Sequence, residues 1–85
     1  MNRENVSLQK LLERSGHLLR LGLPIAARDS LDESLALIGK NEALSWLGSQ
    51  LEWVEAAIER RDYVAAADRI LFECLSQLEM TDSQA

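Results

Sequence analysis

The stretch Leu21-Gly22-Leu23-Pro24-Ile25-Ala26-Ala27-Arg28-Asp29-Ser30-Leu31 decides the fold. Gly22 supplies a helix stop, because glycine takes the left-handed conformation that closes a helix without steric cost. Pro24 follows two residues later. A proline suits the first turn of a helix, where its missing N–H would be unpaired anyway and its fixed φ is already helical. Gly22-Leu23-Pro24 therefore reads as a tight corner between two helices. With only four glycines and one proline in 85 residues, turn material is scarce and the elements must be few and long. Leucine and alanine occur 16 and 10 times, against eight residues of Val, Ile and Thr, a balance that favours helix over strand.

Upstream of the corner, Leu8, Leu11, Leu12, Ser15 and Leu19 share one helical face, predicting a first helix over Glu4 to Leu21, with Asn2 or Asn5 as cap. Downstream, Ala27, Leu31, Leu35 and Ile38 predict a second helix from Pro24 to Ile38, ended by Gly39. Asn41 is a good cap for a third helix, Glu42 to Arg61, whose seam is Leu44, Leu47, Leu51, Val54 and Ile58. Asp62 caps a fourth, Tyr63 to about Glu79, with Ala67, Leu71, Cys74, Leu75 and Leu78 inward. Thr81 to Ala85 is polar and reads as a frayed tail, leaving residues 1–80 as one domain. The fold class is all-α: four helices as two antiparallel helical hairpins.

Residues 11–40 laid over 51–80 match at seven positions, including Ala26/Ala66, Ala27/Ala67, Leu31/Leu71 and Leu35/Leu75. The corner Leu23-x-x-Ala26-Ala27-x-x-x-Leu31 recurs as Tyr63-x-x-Ala66-Ala67-x-x-x-Leu71. Small residues after a corner let two helices approach closely, so the overlay predicts two hairpins of period 40. In kind the spacing resembles tetratricopeptide-like hairpins, without that family's Trp, Gly and Tyr pattern. Two packings satisfy it: a compact bundle, or a short tetratricopeptide-like stack.

The formal net charge of −5 argues against nucleic acid, which demands a basic face. Residues 1–40 carry six bases against five acids, and residues 41–85 three against nine. This asymmetry favours contact between the halves, within a chain or between chains, and could steer a basic partner to the second half. No uncharged run approaches the length of a membrane span, and the polar N-terminus has no apolar core of a signal peptide. The expectation is a cytoplasmic protein with Cys74 as a free thiol.

No set of residues assembles a catalytic or cofactor signature. His17 and Cys74 are the one nucleophile–base pair to test; they lie on different helices, and Cys74 is on an apolar face, which raises a thiol pKa. Glu52, Glu55 and Glu59 form a carboxylate row, but a di-iron bundle site needs Glu-x-x-His pairs that one histidine does not supply. The row reads as a solvated face, or one docked against arginines of the first helix. The glycines are too scattered for a phosphate loop. The expectation is no enzyme, no metal and no cofactor.

The most informative feature is on the third helix. Trp46, Gln50, Trp53 and Ala57 form a second stripe beside the leucine seam, so this helix is apolar on two adjacent faces. Two indoles of roughly 200 Å² each, at about 25 cal/mol per Å², forgo roughly 10 kcal/mol if left in water. Either neighbouring helices or another chain must cover them. These four residues are the candidate interface of a non-catalytic protein–protein interaction module, self-associating or presented to a protein partner. In size, acidity and helix content the chain is similar to flagellar and type III export chaperones, which implies an adaptor or chaperone-like role. The alternatives are a small-molecule-binding domain, with the indoles and Tyr63 lining a pocket, and a regulatory or accessory subunit of an enzyme.

Overall fold

The computed structural model describes the backbone of residues 3–84 and the side chains of residues 6–80. Helix α1 spans Arg3–Arg20 and α2 spans Pro24–Ile38. A 3₁₀ turn, Glu42–Leu44, leads into α3, Ser45–Glu59. The fourth rod is α4 (Tyr63–Asp68), a π-helical segment (Arg69–Cys74) and α5 (Leu75–Gln84). Dihedrals stay right-handed helical at Asp68, Arg69 and Leu75, so the rod is unbroken. No strand occurs among the described residues.

Two of the expected caps are present, whereas Asn5 lies within α1 and Asn2 lies outside the described residues. Asn41 Oδ1 accepts from the Ala43 N–H at 3.0 Å, and Asp62 Oδ1 accepts from the Ala65 N–H at 3.3 Å. α1 is shifted by one residue from its expected span, α3 ends at Glu59 rather than Arg61, and two boundaries differ more. Residues 42–44 wind as a tighter 3₁₀ turn before α3 begins, and the last helix continues to Gln84. Ala85, in the expected tail, lies outside the described residues.

α1 packs against α2 and against the fourth rod; α3 packs against α2 and the same rod. The contact between α1 and the rod closes a ring of four antiparallel helices, so the molecule is the compact bundle rather than the open stack. The core comprises Leu8, Leu12 and Leu19 of α1, Ala27, Leu31 and Ile38 of α2, and the whole expected seam from Leu44 to Ile58. From the rod it takes Ala66, Ala67, Ile70, Cys74 and Leu78. Two buried serines stay satisfied inside their own helices: Ser15 donates to the Leu11 carbonyl at 2.8 Å and Ser34 to the Ser30 carbonyl at 2.9 Å.

The two tight corners are built alike. In the first, the Gly22 N–H donates to Leu19 O and the Leu23 N–H to Leu18 O. In the second, the Arg61 N–H donates to Ile58 O and the Asp62 N–H to Ala57 O. Both are Schellman closures with a left-handed residue, Gly22 at φ 75° and Arg61 at φ 63°. The equivalent residues, 22 and 61, are 39 positions apart, not the 40 of the sequence overlay. Buried positions follow the same offset: Leu8/Leu47, Leu12/Leu51, Ser15/Val54, Leu19/Ile58, Ala27/Ala66 and Leu31/Ile70. Beyond the π segment the offset becomes 40, with Ser34/Cys74 and Ile38/Leu78 both buried. The π segment thus holds one extra residue, its wider turn closed by the Leu75 N–H donating to Ile70 O.

Candidate functional site

Exposed apolar side chains concentrate at the corner end of the bundle. Leu21 is 72% exposed, Ile25 81% and Val64 73%, with Leu23 also exposed. The second corner serves as an internal control. At the positions equivalent to Leu21 and Leu23 it carries Arg60 and Asp62, with the same closing hydrogen bonds. The scaffold therefore does not require leucine at either place, and water contact disfavours both. From sequence alone this stretch reads as a tight corner between two helices. The available signal was three large apolar residues at alternating positions around Gly22 and Pro24.

Two open depressions flank Ile25, which lines both. One, of about 460 Å³, is lined by Gly22, Leu23, Pro24, Ile25, Ala26 and Asp29. The other, of about 180 Å³, lies between the corners and includes Arg28, Ile58, Glu59, Arg61 and Tyr63. Arg28 reaches across it to Glu59 at 3.1 Å. The expected arginine partner of the carboxylate row thus comes from α2, not α1.

The tryptophan stripe is divided among environments. Ala57 is fully buried and Trp46 packs half-buried on the core. Gln50 is half-buried and Trp53 is 39% exposed. Arg69 covers one face of Trp53, its guanidinium carbon 4.2 Å from the ring centroid. The same guanidinium donates through Nη1 to Gln50 Oε1 at 3.2 Å and to Glu73 Oε2 at 2.6 Å. Ala57 faces the core because the buried face of α3 is broader than its leucine seam.

The chemically versatile residues are not assembled into a site. His17 is exposed on α1. Cys74 is buried in the rod, and desolvation pushes its thiol up to about 12, with Arg69 lowering it and Glu73 raising it further. That is the reverse of an activated nucleophile. Glu52 and Glu59 are exposed and Glu55 half-buried. Among the described residues no group of three or more His, Cys, Asp or Glu is placed to hold a metal ion, and no helix is long and apolar enough to cross a membrane. Comparison with protein-family models, curated proteins and solved structures gives no match to this chain.

Proposed function

We propose that this chain is a non-catalytic protein–protein interaction module of the cytoplasm, adaptor- or chaperone-like, whose docking face is the apolar corner formed by Leu21, Leu23, Ile25 and Val64. The observation that carries this reading is the inequality of the two corners. One backbone motif occurs twice, and in the first copy two of its surface positions are leucine where the second has arginine and aspartate. Contact with a partner accounts for residues that the fold does not need and that water disfavours. Trp53, with Gln50, offers a smaller second patch on α3. A small apolar ligand is the second reading, favoured by the depression of about 460 Å³ with Asp29 as its polar wall.

The test is a photo-crosslinking residue placed at position 25 in the source cell, with position 33 on the same helix as control. The expected result is a discrete protein adduct from position 25 alone. No adduct, or the same adducts from both positions, overturns the docking face. Saturation with apolar ligands that raises the melting temperature, and fails to do so in Ile25→Ser, would favour the second reading.

A further inference from the structure

We infer that the occupant of the apolar corner is the same corner of a second copy of this chain, related by a two-fold axis beside Ile25, with Asp29 of each copy facing Arg61 of the other. This rests on the docking face proposed above and adds its partner.

The charge pattern is self-complementary. Ile25 and Pro24 line both depressions, with Asp29 in the wall of one and Arg61 in the wall of the other. A two-fold axis passing by Ile25 sets the two Ile25 side chains against one another and exchanges the two sides, so the acid of one copy meets the base of the other. The charges are available for this. Among the described residues, Arg28 is paired with Glu59 and Arg20 with Asp68, while neither Asp29 nor Arg61 makes a side-chain ion pair or hydrogen bond. Electrostatics permits the approach at this end. Residues 17–27 and 56–66 hold Arg20, Arg60 and Arg61 against Glu59 and Asp62, a net of +1, in a chain whose total is −5. Two copies repel overall, and least where the nearly neutral corners face each other.

The size of the end sets the strength. The bundle measures 36 × 20 × 18 Å, and an end of 20 × 18 Å offers less than the ~800 Å² per partner of a standard interface. The pair is therefore a weak, reversible dimer.

The experiment is sedimentation equilibrium of the full chain from about 10 μM to about 1 mM, a range that brackets weak association. The variants are Asp29→Arg, Arg61→Asp and the double swap. Both sites are exposed, and aspartate tolerates the left-handed backbone at position 61. Wild type should show a monomer–dimer equilibrium. Each single swap should weaken it at least about tenfold, and the double swap should restore most of it. Asp29→Asn, milder than Asp29→Arg, should weaken it less. A wild type that is monomeric at about 1 mM overturns the second copy as occupant and leaves the crosslinking result to judge the docking face. Association untouched by single swaps but abolished by Ile25→Ser overturns the two-fold Asp29–Arg61 pairing alone. Association untouched by Ile25→Ser as well removes the corner as the self-docking face.

Discussion

Gly16 on α1 and Leu71 in the π segment occupy adjoining space with no room between them. A Cβ built on Gly16 would lie 2.5 Å from both Cγ and Cδ2 of Leu71. The clash falls on the branch point of leucine, so rotating a methyl does not relieve it. This glycine therefore sets how closely α1 and the rod approach, and with it the closure of the ring.

Gly16→Ala should cost about 1–3 kcal/mol in urea unfolding, as overpacking does, despite alanine's better helix propensity. Gly48 on α3 supplies the opposite sign. A Cβ there meets only Ile38 Cγ2 at 3.9 Å, an ordinary contact. Gly48→Ala should stabilise by about 0.5–1 kcal/mol. Equal signs for the two substitutions would refute this account of the ring closure.

Deleting Phe72, which is exposed, should turn the π segment into regular α-helix and leave a single offset of 39 along the whole chain. Buried residues on both sides keep their faces, so the chain should still unfold cooperatively. The loss should be about 1 kcal/mol, chiefly the stacking of Arg20 over the Phe72 ring at 5.5 Å. Deleting Glu52, equally exposed in the middle of α3, has no wide turn to absorb it. It rotates Val54, Ala57 and Ile58 by about 100° out of the core and should abolish the cooperative transition.

How much of this was legible beforehand depended on chemistry that leaves a residue-type mark. Gly22 and Pro24, the Asn41 and Asp62 caps, and the Leu44–Ile58 seam all carry such marks, and each is found in its expected place. The second corner closes through Arg61, where a left-handed glycine was not there to announce the turn. The π segment has no residue signature, so identities at a constant offset of 40 concealed a true offset of 39 before it. The tryptophan stripe left open whether neighbouring helices or another chain cover the indoles; Trp46 packs half-buried on the core and Arg69 from the next rod covers part of Trp53. The apolar corner was missed because exposure is a property of the assembled bundle, and three alternating leucines and isoleucines are as compatible with burial.

Arg69→Ala should leave the fold intact and uncover the Trp53 ring. In a Trp46→Phe background, acrylamide quenching of the remaining indole should rise and its emission shift to the red. The stability loss should be about 1 kcal/mol, since a cation–π contact and two hydrogen bonds at a partly exposed site go together. Arg69→Lys should not restore the wild-type spectrum, because an ammonium lacks the planar fork that stacks and donates at once. Unchanged quenching in Arg69→Ala would show that Arg69 does not shield the ring.

Cys74 makes stability depend on alkaline pH. Its folded pKa is raised from 9.0 to about 12, so between those values the unfolded chain releases a proton that the folded chain keeps. Stability from this group is complete below pH 9 and falls as pH rises toward 12, by at most about 1.4 kcal/mol per unit. Cys74→Ala should flatten this part of the profile relative to wild type while costing packing at neutral pH. Thiol reagents at pH 8 should modify native Cys74 only as fast as the chain opens. Rapid labelling without unfolding would contradict its burial.

Closure of the ring between α1 and the rod also determines where the polypeptide can be extended. α1 runs toward the corners and α5 runs away from them, so Arg3 and Gln84 emerge side by side at the far end of a 36 Å body. A tag or neighbouring domain joined at either terminus projects away from Ile25. A short bridge between the termini, with the chain cut at Gly39–Lys40, yields a circular permutant that retains every helix neighbour, and the three alternating apolar side chains stay free at the opposite pole.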